Sequence, residues 1–382
     1  MSLRCVFHVG MPKTGSSSIQ ESLYCGLRAP GFRYVSLGEV NGDNVLMTSF
    51  ADGASEFHFH RKMGRTPSEV AELRGRFRAS LHQRMEQSQQ RGEIVILSGE
   101  SFWGVTKDDF TAVADFLRQR GYEAEAIVYL RPWKSWLESV FQERIKQGER
   151  GFEVLSARHR RAMDTAGQLA RLDEVFGSSR VMPVLFKPDR FTARCVVQDF
   201  CSRARIPFTP RQVRRVNEGI SLSALKLLYA QRTWGEGYGV GLTAVIRNEI
   251  LCRRLVEVPG PPTRFHSRLV MPVLEEYLSQ IPAIERRVGE GYREDLRCAD
   301  ESECLREESQ MGDFSAESLD WLARATGLPR IGGKSGGASG EAASRLVAEQ
   351  VQHLLEHPSL QSRLRWHRMI ASRRCAEWLR DV

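Results

Sequence analysis

Between two glycines near the start of the chain stand a lysine and a threonine, and three serines follow: "GMPKTGSSSIQ", residues 10–20. An ammonium, several hydroxyls and a glycine-flanked turn in so short a span are the chemistry of anion binding. Backbone N–H groups from Thr14 to Ser17 can point inward at the start of a helix, where the dipole favours negative charge. Ser16, Ser17 and Ser18 add hydroxyl donors, and Lys13 adds a point charge. Helix capping alone accounts for one hydroxyl; it leaves the lysine, the other serines and both glycines unexplained. Gly10 and Gly15 have the separation of a Walker A loop, but Ser16 stands where the Walker lysine belongs. The residue that reaches the terminal phosphates of ATP is therefore missing.

A second group lies in "AIVYLRPWKSWLESVFQ", residues 126–142. Pro132 keeps Arg131 out of the helical region and suits a first helical turn. Arg131 can then offer a guanidinium fork to a phosphate. Ser139 follows about two helical turns later, on a face shared with Ser135 and Gln142. A third group is "IVILSGESFWG", residues 94–104, which sets Glu100 just past an apolar run. Its neighbours Ile96, Leu97, Phe102 and Trp103 favour a raised carboxylate pKa, as a general base requires. An acid opening the next helix is the structural alternative. His58 and His60 in "EFHFH" alternate as on a strand, so both can face one pocket and compete for the role of base.

The first two motifs, in this order and each after an apolar run, resemble sulfotransferases that use 3′-phosphoadenosine-5′-phosphosulfate (PAPS). "GMPKTGSSSIQ" is similar throughout to the 5′-phosphosulfate loop of bacterial members, G-x-P-K-[TS]-G-[TS]-[TS]-[ST]-[IL]-Q. Arg131 and Ser139 have the spacing of the arginine and serine that bind the 3′-phosphate in that family. The resemblance covers about residues 4–200. It implies a P-loop NTPase-like α/β fold, a parallel sheet flanked by helices, and transfer of a sulfuryl group from PAPS to a hydroxyl or amine, leaving PAP, with no metal. It implies that Lys13, Thr14, Gly15, Ser16, Ser17 and Ser18 hold the 5′ end of the cofactor and that Arg131 and Ser139 hold the other. Lys13 would stabilise the leaving phosphate oxygen of an in-line displacement. The family uses both glutamate and histidine bases, so Glu100 is favoured here with His58 and His60 as rivals. Ser98 would contact cofactor or acceptor. The family also returns a basic loop near the 3′-phosphate, for which "RRVNEGISLS", residues 214–223, offers Arg215. Trp133, Phe186 or Trp136 would supply an adenine wall.

The acceptor stays open: a small molecule or a carbohydrate, including a glycolipid head group. Two other functions compete. A P-loop nucleotide kinase or other phosphotransferase would need a Mg²⁺-binding acid. A non-catalytic anion-binding scaffold would use the C-terminal "LQSRLRWHRMIASRRCAEWL" as a docking helix.

Strands must end at each of these groups to bring them together. Four apolar runs qualify: Arg4–Val9, Ile94–Ser98, Ala124–Leu130 and Arg180–Phe186. Helical periodicity separates them at Ser16–Leu27, Pro67–Gln90, Asp108–Gln119, Trp133–Gln147 and Arg160–Phe176, with another helix near Arg190–Ala204. Such alternation predicts a parallel sheet with ligands at the carboxyl ends of its strands. Residues 33–66 interrupt it as an insertion. After about residue 205 only helices are expected: Ser221–Trp234, Leu242–Val256, His266–Gln280 and Ala316–Ala325. The expected organisation is one domain over 1–328, with a sheet core to about 205 and a helical cap region from 206. The glycine-rich "PRIGGKSGGASGE", 329–341, reads as a flexible linker, and 342–382 as a tail of two helices broken near Pro358.

The formal charge of +8 favours anionic ligands. No block of consecutive Lys or Arg points to a nucleic-acid partner. No apolar stretch reaches the roughly 20 residues of a membrane span. The N-terminus runs straight into the first strand with no room for a leader, so a cytoplasmic location and reduced cysteines are expected. None of the cysteines has metal-ligand spacing, so no metal site is expected.

Overall fold

The computed structural model describes residues 2–152, 160–214, 219–294, 304–332 and 336–378. The sheet half contains β1 (Leu3–His8), α1 (Ser16–Gly26), β2 (Phe32–Tyr34), α2 (Gly42–Phe50), α3 (His58–Lys62), α4 (Pro67–Gln90) and β3 (Ile94–Ser98). It continues through α5 (Lys107–Arg118), β4 (Tyr122–Leu130), α6 (Trp133–Lys146), α7 (Arg160–Met163), α8 (Thr165–Phe176), β5 (Val181–Leu185) and α9 (Val196–Arg203). The other half is helical: α10 (Leu222–Trp234), α11 (Leu242–Leu255), α12 (Ser267–Leu274), α13 (Ile281–Val288), α14 (Ala316–Thr326), α15 (Gly340–Glu356) and α16 (Leu360–Trp378). The class is the expected α/β one.

All strand pairs are parallel, in the order β2-β3-β1-β4-β5. Strand β1 is central because its residues are apolar on both faces, as strands covered by helices on both sides must be. Cys5 and Phe7 enter one core with Leu97, Val128 and Leu130, and Val6 enters the other with Ile19, Leu23, Ile127 and Phe200. In register, His8 lies beside Ser98 of β3 and Ile127 of β4. The segments leaving these strands, at 9–15, 99–101 and 131–132, therefore emerge along one edge of the sheet.

Several expectations are corrected. The edge strand β2 crosses the start of the supposed insertion, where Phe32–Tyr34 is too short to stand out as an apolar run. His58 and His60 lie on a single helical turn, not a strand. Two residues on a helix are about 200° apart, so they do not share a face. The segment His266–Gln280 is α12 followed by a 3₁₀ turn, with Pro272 inside the helix, and α13 was not expected. The described part of the glycine-rich 329–341 stretch is tied down. Ile331 is buried, Arg330 pairs with Asp320 and donates 2.8 Å to Gly336 O, and Ala338 bridges Phe314. Helix α15 then packs against α10, where Gln231 donates to Gln352 at 2.6 Å. Cys304 is in a disulfide, against the expectation of reduced thiols throughout, while Cys5, Cys25, Cys195, Cys201 and Cys252 are free. Among the described residues no helix is long and apolar enough to cross a membrane.

The helical half grips the C-terminal end of α6. Arg232, fully buried, donates to Ile145 O at 3.0 Å and Lys146 O at 3.3 Å, and Asn248 donates to Lys146 O at 2.9 Å. Tyr238 donates to Gln147 O at 2.9 Å. These donors satisfy carbonyls that the end of a helix leaves without partners. At the other end of α6, Glu294 accepts from the amides of Lys134 and Ser135 at 2.9 and 3.3 Å. One helix is thus fixed at both ends, and its exposed face forms a wall of the site.

Candidate functional site

The loop after β1 is held by its carbonyls. Gly10 O accepts from Tyr129 N at 3.1 Å, Met11 O from Thr14 Oγ1 at 2.5 Å, Pro12 O from Trp136 Nε1 at 3.0 Å, and Lys13 O from Arg131 Nη1 at 2.9 Å. Four consecutive acceptors are engaged by β4, α6, Arg131 between them and the loop itself, so the loop presents donors to its open side. Both glycines are required. A Cβ on Gly10 would lie 2.7 Å from Glu100 O; one on Gly15, at φ 83°, would lie 2.7 Å from Val196 Cγ1. Lys13 itself has φ 69°, the left-handed region that non-glycine residues seldom occupy. Helix α1 begins at Ser16 with no side-chain cap, and the buried Ser16 hydroxyl faces the Glu100 carboxylate, which it helps to hold down.

This loop lines a cavity of about 330 Å³ together with Glu100, Arg131, Phe186, the α6 face Glu138, Ser139, Gln142, Glu143 and Lys146, and Pro262–Arg264 from the helical half. The structure brings Lys13, Gly15, Ser16, Ser17, Ser18, Glu100, Arg131 and Ser139 together here. Thr14 is buried, its hydroxyl spent on Met11 O. Ser98 is buried beneath the loop, its hydroxyl against His8 Nδ1 at 2.8 Å and Gln20 Nε2 at 3.1 Å, and does not line the cavity. His60 is also buried elsewhere: its Nδ1 accepts from Arg65 at 3.0 Å, leaving Nε2 to donate to Thr48 at 2.8 Å. His58 is half-buried outside the lining, with burial pushing its imidazole down to about 4. Trp133 and Trp136 are core residues that bond Thr165 and Pro12, so of the three aromatic candidates Phe186 is the one in the cavity wall, under the Arg131 guanidinium at 5.7 Å. Arg215 lies outside the described residues.

Two carboxylates flank Lys13 and are driven apart. Burial pushes Glu100 up, the Lys13 ammonium pulls it down and Glu143 adds to the rise, leaving it above the ordinary range. Burial also works against Glu143, but Lys13, 3.0 Å away, Lys146 and the Gln147 amide outweigh it and bring its carboxyl down to about 2. Burial likewise disfavours the Lys13 charge, and Glu143 and Glu100 together hold the ammonium above its ordinary range. Glu143 is thus the ionised counter-ion of Lys13, while Glu100 holds a proton more readily than an ordinary carboxyl.

Sequence reasoning missed Glu143, Lys146, Thr263 and Arg264. The first two were findable, since Ser139, Gln142, Glu143 and Lys146 follow the i, i+3, i+4, i+7 rule of one helical face. Thr263 and Arg264 carry no such signal. Glu138 recruits them across the fold, accepting from Arg264 at 3.2 Å, Phe265 N at 2.9 Å and Lys134 at 2.8 Å. Thr263 Oγ1 is buried without a partner among the described residues. An orphaned Thr263 hydroxyl in a cavity with Lys13, Arg131 and Arg264 fits a ligand that brings anionic acceptors there. Among the described residues no group of His, Cys, Asp or Glu is arranged to hold a metal.

His8, behind the loop, is buried with Nε2 unpartnered among the described residues. Burial lowers its pKa from the ordinary 6.5 to about 3. The unfolded chain therefore takes up a proton near 6.5 that the folded one refuses until about 3. Stability is expected to fall as pH drops through that window, by up to about 1.4 kcal/mol per pH unit from this group. Urea titrations from pH 7 to pH 4 check this; an equally steep loss in His8→Gln would refute it.

No family model and no curated protein matches the chain. Two solved structures resemble it. A sulfotransferase from Alicyclobacillus acidocaldarius is 17% identical with TM-score 0.36, over 59% of this chain and 91% of that one. The sulfotransferase domain from the curacin biosynthetic pathway is 11% identical with TM-score 0.32, over 72% of this chain and 97% of that one.

Proposed function

We propose that the chain transfers a sulfuryl group from PAPS to a hydroxyl or amine of a small-molecule or carbohydrate acceptor. The observation that carries this reading is the convergence of the Lys13–Ser18 loop, Arg131 and Ser139 on one cavity. PAPS supplies an activated sulfuryl group on a 5′-phosphate leaving group. The first-turn amides of α1 and the Ser16 hydroxyl hold the 5′-phosphate. Lys13 stands where charge collects on the leaving oxygen, and Glu143 keeps its ammonium protonated and aimed. Arg131 and Ser139, joined by Thr263 and Arg264, take the 3′-phosphate, and Phe186 forms part of the adenine wall. Glu100 accepts the acceptor's proton.

Calorimetry with PAP and ADP tests the reading, since only PAP carries a 3′-phosphate. PAP is expected to bind more tightly than ADP, and Arg131→Ala to weaken PAP by about 10- to 100-fold, as loss of a charge-assisted pair costs. ADP should suffer much less, through the lost support of Lys13 O alone. Equal affinity for the two nucleotides would rule out the 3′-phosphate assignment and favour a nucleotide phosphotransferase.

A further inference from the structure

The cavity wall extends past the groups assigned to the nucleotide. Along α6, Lys146 lies seven residues beyond Ser139, about 10 Å at the rise of a helix, and its half-buried side chain lines the cavity. The carboxylates on this side already have cations. Glu143 pairs with Lys13, Glu138 with Lys134 and Arg264, and Glu149 with Arg144 at 2.7 Å. Lys146 has no ion pair among the described residues, and neither has Lys62 on α3. Lys62 belongs to the same electrostatic cluster. Burial lowers it to about 8, Glu143 and Glu149 oppose the fall, and Arg144 and Arg232 add to it. Burial and the Lys13 charge also lower Lys146, against the pull of Glu143. Lys146 in the cavity wall shares Glu143 with Lys13 and has no ion pair of its own among the described residues, so an anion beside it would be favourable.

We propose that this end of the cavity is a subsite for an anionic group on the acceptor, a phosphate, sulfate or carboxylate, with Lys146 as its contact and Lys62 adding to the field. The proposal rests on the sulfuryl-transfer reading, which puts the acceptor on the Glu100 side of Lys13. An acceptor anchored by its anion at Lys146 would present a hydroxyl toward Glu100, and neutral phenols or sugars would lack the anchor.

The test is calorimetry on the full chain saturated with PAP, titrated with 4-hydroxyphenyl phosphate and, separately, phenol. The phosphate-bearing probe is expected to bind at least about tenfold more tightly. Lys146→Met should abolish most of that preference and Lys146→Arg should keep it, both with PAP affinity within about twofold of wild type. Lys62→Met should reduce the preference by a smaller factor, about threefold, and serves as the readout if Lys146→Met no longer binds PAP. Equal affinity for the two probes overturns the subsite. A preference that survives Lys146→Met also overturns it, because the phosphate would then occupy the sulfuryl position beside Lys13. Absence of PAP binding in the wild-type chain would instead remove the sulfuryl-transfer reading, and the subsite with it.

Discussion

Lys13→Ala is expected to lower kcat for transfer of labelled sulfuryl by about 100- to 1000-fold, the range seen when a preorganised stabiliser of transition-state charge is removed. Its ammonium is 3.0 Å from Glu143 and stays charged under the joint pull of Glu143 and Glu100. Its charge matters most when the leaving oxygen becomes anionic, as it is in PAP, so affinity for PAPS should fall by less than about tenfold and affinity for PAP by more. The backbone complicates this variant, because position 13 sits at φ 69° and alanine there is as strained as lysine. Lys13→Gly relieves the backbone while removing the same charge, and the two variants should be equally slow. Turnover within a few-fold of wild type in either would show that the leaving group is stabilised elsewhere. In both variants Glu143 loses its closest cation, so its carboxyl should rise from about 2 toward the ordinary range.

Glu100→Gln is expected to cost about 100- to 10,000-fold in kcat, the span of general base catalysis, with PAP affinity nearly unchanged. The substitution keeps shape and removes the titration. Burial, reinforced by Glu143, holds the Glu100 carboxyl above its ordinary value despite Lys13. A base must be deprotonated to act, so wild-type kcat should climb with pH through that raised pKa and then level off. The glutamine variant should lack the climb. A pH profile that keeps its acid limb in Glu100→Gln would assign the limb to another group, and near-normal turnover would take Glu100 out of the role. His58 and His60 are poor substitutes, since neither lines the cavity and both imidazoles are pushed down by burial.

The sequence alone determined the strands of the parallel sheet and the loop after β1, and set Lys13, Ser16, Glu100, Arg131 and Ser139 past strand ends, because each of these is a local matter. An apolar run makes a buried strand, a proline after Arg131 starts a helix, and parallel strands deliver their C-terminal loops to one edge. It misjudged His58 and His60 because alternation over five residues fits a strand or a helical turn equally well until packing decides. The glycine-rich 329–341 stretch was misjudged for a related reason. Composition reports chain freedom, whereas Arg330, Ile331 and Ala338 are fastened by partners distant in sequence. Only the tertiary structure could decide that Glu143 takes Lys13, that Arg131 and Trp136 brace the loop carbonyls, and that Thr263 and Arg264 reach the cavity through Glu138. Charges and hydrogen bonds act through space over a few ångströms, and residues separated by more than a hundred positions come within that range only once the chain has folded.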